Sequence, residues 1–315
     1  MIQNLLLLLI IVVITIFLID LWIKKIKKNK CILQQKKYGP NINIDIKKNT
    51  PSIGGFVFLV VFLIMYFFLF EIKIKKNIYL LYLIFSVTMI GLFDDYLKYK
   101  NNSSEGLSSF SKFFLQILII VPWIIYGISL NYISLFNNIK FLYINEIIIS
   151  SIISIGIINA VNITDGLDGL AGGLYFISIS YIVLKNDLPI DLLFCSLINI
   201  GIILGFLWYN CNPAEIFMGD AGSHFLGASL VTITFMNGDG FYVIFIGFFY
   251  MIELATVIIQ LFFIYIFKRK IFLMSPIHHH FQLLGWKENK IVYRFIIIHI
   301  LGMILSDSLV RWYTL

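Results

Sequence analysis

Apolar runs long enough to cross a bilayer recur from one end of this 315-residue sequence to the other. A hydrocarbon core about 30 Å thick takes roughly 20 apolar residues in a helix. Runs of that kind are read near 4–23, 53–70, 78–93, 113–130, 147–163, 169–184, 192–208, 222–236, 241–267 and 291–310. Backbone polar groups in lipid must be satisfied within their own segment, so each run is expected to be a helix. With 60% hydrophobic and only 13% charged residues, the chain lacks the polar surface of a water-soluble protein. The predicted fold is all-α and integral to a membrane: one polytopic domain over residues 1–315 with ten transmembrane helices. The same composition excludes disorder, a coiled coil and a secreted disulfide scaffold. Cys31, Cys195 and Cys211 form neither an even framework nor a CxxC spacing.

The first run has no basic residue ahead of it and no small-residue cleavage site behind it. Lys24, Lys25, Lys27, Lys28 and Lys30 follow it directly, the reverse of the charge order in a secretory signal. It is read as a retained helix. Loops after the odd-numbered runs, with their flanks, hold 18 of the 24 Lys and Arg residues. Such loops face the cytoplasm, which puts both termini outside; Lys73, Lys75 and Lys76 are the exception. This bias accounts for the net charge of +7 without a nucleic-acid partner. On the outer side, Tyr132–Ile144 alternates around Asn137-Asn138 and is expected to form a small β-hairpin.

Five polar clusters break the apolar pattern: Lys47–Gly55, Gly91–Lys98, Asn159–Gly169, Asn210–Ser223 and Pro276–Phe281. All fall after odd-numbered runs and hence on the cytoplasmic side, which points to one shared catalytic cleft. Asp94 and Asp95 project about 100° apart on a helix, so they face two neighbouring partners rather than grip one small ion. The plain alternative is a solvated pair at a helix end. Asn162, Asp165 and Asp168 share a face if their segment is helical, and suit hydroxyl, amide or uracil-type recognition; a Gly-broken turn with internal pairing is the competing reading. Asp220 lies between glycines at a helix start, where it would repel a phosphate unless a hard divalent cation, Mg²⁺ by preference, lies between them. An N-cap is its simpler role. Phe217 offers a stacking surface for a base. His278, His279 and His280 diverge in direction and have no Cys nearby, which favours contacts to phosphate over a transition metal. His224 and His299 read as core histidines. Lys47, Lys98 and Lys112 bring positive charge to the carboxylates. Glu253, deep in an apolar run, either pairs inside the bundle or joins the site.

Gly91–Lys98, Asn159–Ala171, Phe217–Gly222 and Met274–Gln282 resemble the signature loops of the phospho-N-acetylmuramoyl-pentapeptide transferases. Thr50–Gly55 looks like their first cytoplasmic motif, and Gly106–Gln116 and Trp286–Phe295 also fit. The resemblance spans essentially the whole chain. It implies a ten-helix enzyme of the bacterial plasma membrane that uses Mg²⁺. Its substrates would be UDP-MurNAc-pentapeptide and undecaprenyl phosphate, its products lipid I and UMP, with membrane lipid around it and a homodimer allowed. By matching position, Asp94 and Asp95 are the paired carboxylates, with Asp94 the base or nucleophile, and Asp220 is the Mg²⁺ ligand. His278, His279 and His280 supply catalytic and phosphate contacts. Asn162, Asp165, Asp168, Asn210, Phe217 and Lys47 are similar to the nucleotide-sugar pocket, with Phe217 under the uracil. Thr50, Lys98, Lys112 and Glu253 are further candidates for substrate contact. The chain departs from the pattern at Asn49, at Gln282 and at His224-Phe-Leu-Gly-Ala228, which replaces a run of small residues. A sibling transferase of another sugar phosphate would share the carboxylates. A transporter would place ionisable groups near the midplane or on both faces, unlike the one-sided clustering here.

Overall fold

The apolar runs fold as helices, as lipid demands of a backbone it cannot hydrogen-bond. A computed structural model describes residues 2–28, 50–71, 73–101, 103–136, 142–185 and 188–314. In order, the helices are α1 (Ile2–Lys28), α2 (Gly55–Leu69), α3 (Lys75–Lys100), α4 (Ser109–Ser129), α5 (Tyr143–Thr164), α6 (Leu170–Lys185), α7 (Ile190–Asn210), α8 (Gly219–Met236), α9 (Val243–Ile246), α10 (Phe248–Phe267), α11 (Ile277–Leu283) and α12 (Glu288–Thr314). Among the described residues, seven helices (α1, α3, α4, α5, α7, α10 and α12) are long and apolar enough to cross a membrane. Helices α2 and α6 are apolar but shorter. The all-α membrane fold is borne out, with seven helices of spanning length and polarity where ten spans were expected.

Helix α8 explains part of the difference. Every residue from Asp220 to Met236 is buried, and α8 packs against α2, α3 and α5. A helix walled by protein needs no lipid-facing apolar surface, so Ser223, His224, Ser229, Thr232 and Thr234 are tolerated in it. Most of the Thr and Ser hydroxyls bond back to carbonyls in the preceding turn, as Thr232 does to Ala228 and Thr234 to Leu230, both at 2.8 Å.

Two expectations are corrected. The run 241–267 is not one helix: a 3₁₀ turn at Gly240–Tyr242 and the four residues of α9 lead to a break at Gly247. The groups freed there are met by side chains. Ser178 donates to the Ile246 carbonyl at 2.9 Å, His299 Nδ1 accepts from the Phe249 N–H at 3.2 Å, and His299 Nε2 meets Ser178 at 2.9 Å. His299 is thus a satisfied core histidine, as its isolation suggested. No strand occurs among the described residues, and the Asn137–Phe141 centre of the expected hairpin lies outside them. The run after it, from Tyr143, begins α5, with Glu146 in a first turn that favours an acid. The run before it pairs elsewhere: Gly240 N–H donates to Ser134 and Phe241 N–H to Leu135, at 2.9 and 3.0 Å.

Candidate active site

The polar loops after α3, α5, α7 and α10 meet at one end of the bundle, with the described residues 50–54 ahead of α2 beside them. Helix α3 outlasts its apolar stretch by a further two turns, because Asp94 and Lys98 pair one turn apart at 2.5 Å. Lys98 also lies 3.1 Å from Asp220 Oδ1, and Lys112 of α4 lies 3.0 Å from Asp94 Oδ2 and pairs with Asp220 Oδ2. Asp94, Lys98, Asp220 and Lys112 therefore close a ring of alternating charge. The carboxylates are almost fully buried, whereas the Lys98 and Lys112 side chains keep 12% and 19% exposure. Buried carboxylates cost several kcal/mol each unless paired, so the ring is what permits this burial. The reading of Asp94 and Asp95 as a solvated pair is set aside.

Asp95 faces a different partner, as the divergence of neighbours on a helix requires. Its two oxygens accept from the Asp220 and Ala221 N–H groups at 3.1 and 3.0 Å. It thereby caps α8 from a neighbouring helix, while Met218 at the N-cap position makes no side-chain bond. Asp220 is thus a first-turn residue of α8, not its N-cap. Asp94 Oδ1 accepts from the Leu107 N–H at 2.6 Å, tying the α3–α4 loop to the ring. Two glycines let α8 come this close: a Cβ on Gly91 would overlap the Asp220 carbonyl, and one on Gly55 would overlap the backbone of Gly222.

One oxygen from each of Asp94, Asp95 and Asp220 lies within 4.8 Å of the others. Three carboxylates against two ammonium groups leave one net negative charge, and the donors are all hard oxygens. That donor set fits a divalent cation of the Mg²⁺ or Ca²⁺ type and not a soft metal.

The other candidates take separate places. Asn162 donates to Ser223 at 2.7 Å, directly beneath Asp220. Helix α5 ends at Thr164, so Asp165 and Asp168 do not continue the Asn162 face; they lie in a turn that Gly169 completes at φ +75°. The segment is the Gly-broken turn, but Asn162 and Asp168 find partners in other segments, at Ser223, Asn212 and Ala214, where internal pairing was expected. Asp168 accepts from Asn212 at 2.9 Å and from the Ala214 N–H at 3.1 Å, and its own N–H donates to Glu288 at 2.7 Å. Asn210 bridges the Gly169 N–H and the Ile216 carbonyl at 3.0 and 2.8 Å. Both residues brace the loop that delivers Phe217 and Asp220. Phe217 is half-buried, and its backbone pairs with Pro51 and Gly54 at 2.8 and 2.9 Å. Thr50 reaches Ala214 at 3.4 Å, and Lys47 lies outside the described residues.

Glu253 resolves as a partner of the histidine run. Its Oε1 lies 3.1 Å from His278 Nδ1, both side chains are fully buried, and His278 Nε2 abuts Gly166 in the α5–α6 turn. His279 Nδ1 meets Gln282 at 2.8 Å, and His280 Nδ1 accepts from the Leu273 N–H at 3.1 Å. The expected divergence of the three rings is corrected: His278 and His279 pack edge to face with centroids 4.2 Å apart, and only His280 turns away, against Phe272 and Phe281. His224 is buried and bonded at both ring nitrogens, the core histidine its isolation suggested, but several braces escaped the sequence reading: Leu107, Ser223, Asn212, Glu288 and the Gln116–Asn159 link to His224. Only spacing hints at the last, since Gln116 follows Lys112, and His224 follows Asp220, by one helical turn.

Residues 77–238 match Glycosyl transferase family 4. The chain is 37% identical over 291 residues to the phospho-N-acetylmuramoyl-pentapeptide-transferase of Dictyoglomus turgidum, covering 88% of each. It is 34% identical over 302 residues to the protein of that name in Kosmotoga olearia, covering 89% of this chain and 90% of the relative. The Staphylococcus carnosus protein of the same name is 36% identical over 292 residues, with 89% and 90% covered.

Proposed function

We infer the reaction from one premise: the chain belongs to the phospho-N-acetylmuramoyl-pentapeptide transferases, within Glycosyl transferase family 4. It is a multi-pass membrane enzyme that transfers phospho-N-acetylmuramoyl-pentapeptide. The observation that carries the placement of the chemistry is the buried ring of Asp94, Lys98, Asp220 and Lys112 at the meeting point of the loops.

In this reading α2, α6 and α8 cross the bacterial plasma membrane together with the seven longer helices, both termini lie outside, and the ring opens to the cytoplasm, in keeping with the bias of Lys and Arg. The donor is UDP-MurNAc-pentapeptide and the acceptor undecaprenyl phosphate. A phosphate oxygen of the acceptor replaces the UMP oxygen on the sugar-bearing phosphorus, so one P–O bond forms, one breaks, and UMP leaves as lipid I is made. Asp220, with Asp94 beside it, would hold Mg²⁺, which would neutralise charge on the two phosphate-bearing substrates. Lys98 and Lys112 trade a carboxylate partner for a phosphate oxygen and so draw both anions to one place. The turn at Asp165–Gly169 and the Phe217 loop take the nucleotide and sugar. The specific assay is UMP release with undecaprenyl phosphate and Mg²⁺. UDP-MurNAc-pentapeptide is expected to support turnover at least about a hundredfold faster than UDP-GlcNAc; equal rates would reassign the donor.

Glu253 fixes the His278 ring and leaves Nε2 toward the loop that receives the donor. Glu253→Leu removes the acceptor and is expected to slow turnover at least about tenfold, since a positioned acid or base contributes about 10²–10⁴-fold. Glu253→Gln keeps an acceptor and should recover most of that loss. Equal rates for Leu and wild type would leave the pair a packing contact.

A further inference from the structure

Below the charged ring lies a second, uncharged layer. Lys112 and Gln116 stand one turn apart on α4, as Asp220 and His224 do on α8. The Lys112–Asp220 pair is therefore followed one turn deeper by Gln116 Nε2 and His224 Nε2 at 3.3 Å, with both side chains fully buried.

The hydrogen-bond directions in this layer are forced. Asn159 Nδ2 donates to the Ile155 carbonyl at 2.8 Å, which only accepts, and the same amide nitrogen donates to Gln116 Oε1 at 2.7 Å. Gln116 must then turn its Nε2 donor toward His224, whose Nε2 accepts and carries no hydrogen. The imidazole hydrogen sits on Nδ1 and is donated to the Asp220 carbonyl at 2.8 Å. A parallel chain runs from Asn162 to Ser223 at 2.7 Å and from Ser223 to the same carbonyl at 3.2 Å. Asp95 meanwhile accepts from the Asp220 N–H. Asp220 is held on its amide side by α3 and on its carbonyl side by α4 through His224 and by α5 through Ser223. The first N–H groups of a helix have no ladder partner, so the start of α8 is fixed by the Asp95 bonds, and the His224 and Ser223 bonds to the Asp220 carbonyl add to that hold.

We propose that His224 is a positioning residue for the cation-binding carboxylate of Asp220, set as the Nδ1–H tautomer by Gln116 and Asn159 and acting through the Asp220 carbonyl. It rests on the reading of Asp220 as a cation ligand. Its effect reaches the cation through Asp220 alone, since the imidazole spends one nitrogen on that carbonyl and the other on Gln116.

The test is Mn²⁺ binding to the full-length protein in detergent, with free Mn²⁺ counted by electron paramagnetic resonance and thermal unfolding followed alongside. His224→Leu removes the donor. His224→Asn keeps an amide nitrogen near the Nδ1 position. His224→Gln puts an amide near the Nε2 position and gives up the carbonyl bond. Leu and Gln are expected to weaken Mn²⁺ binding at least about tenfold, the usual cost of losing a group that orients a metal ligand. Asn is expected to stay within about threefold of wild type, with midpoints of unfolding for the three variants within about 4 °C of one another. Unchanged Mn²⁺ affinity in the Leu variant overturns the proposal. So does an equal loss in Asn, Gln and Leu, which marks packing alone. Asp220→Ala in the same titration separates the two readings. If it leaves Mn²⁺ affinity intact, the cation reading of Asp220 fails and takes this proposal with it. If it abolishes binding while His224→Leu does not weaken it, only the role of His224 fails.

Discussion

Asp220→Ala is expected to lower UMP release at least about a thousandfold while leaving the fold intact. Preorganised charge at a reacting phosphate accounts for roughly 10²–10³-fold per group, and a lost metal ligand adds to that. Asp220 is where both lysines, Asp94 and the start of α8 meet. Removing it changes the count from three carboxylates against two ammonium groups to two against two, so the buried charges stay balanced. The backbone bonds to Asp95 do not involve the deleted side chain. The measurements are turnover across a Mg²⁺ titration and the thermal midpoint. Full activity at low Mg²⁺ would remove Asp220 from the reaction. A collapse of the midpoint would make the lost activity uninformative about chemistry, and Asp220→Asn, which keeps the shape, would then replace it.

Gly91→Ala should come close in effect although it touches no polar group. A Cβ there would overlap the carbonyl of Asp220 and the Cα of Ala221, which are backbone atoms and cannot swing away. Helices α3 and α8 must part, and Asp94 and Asp95 move relative to Asp220. Overpacking of this kind costs about 1–3 kcal/mol in stability, and a misplacement of about 1 Å in a catalytic array costs about a hundredfold in rate. Gly156→Ala is the matched control, because the nearest atom to a Cβ there is Leu254 Cδ2 at 4.0 Å. Wild-type turnover in Gly91→Ala, or equal losses in both variants, would show that the close approach of α3 and α8 does not set the site.

Much of this architecture is legible in the sequence because lipid simplifies the problem. An apolar run of sufficient length has one regular structure open to it, so the helices fall within a few residues of the expected ranges. Where the environment is protein instead of lipid, the reading fails in an intelligible way. The run 222–236 reads as a span, yet helix α8 is buried in protein from Asp220 to Met236 and is not among the seven helices long and apolar enough to cross a membrane. The break at Gly247 is invisible because the groups that repair it, Ser178 and His299, come from α6 and α12. Around the site, Asp94, Asp220, Lys98 and Lys112 could be picked out as charges at the ends of apolar runs. The roles of Asp168 and Asn210 could not, since each is defined by partners more than 40 positions away. Asp165 and Asp168 were placed with Asn162 by a helical spacing that the turn at Gly166–Gly169 interrupts. Glu253 illustrates the remaining limit. Depth in an apolar run marks it as unusual, but only the tertiary fold names His278 as the reason.

The enclosure of α8 also constrains how the molecule is made. A segment that begins with Gly-Asp-Ala-Gly-Ser-His has little to gain from lipid alone, and its charged end would resist entry into the bilayer. Its affinity is for the walls around it, and α2, α3 and α5 have all left the ribosome before it does. Biogenesis is therefore ordered: the earlier segments must wait as an unfinished cage, and the residue on which the chemistry turns arrives in its place only when the cage receives its last occupant.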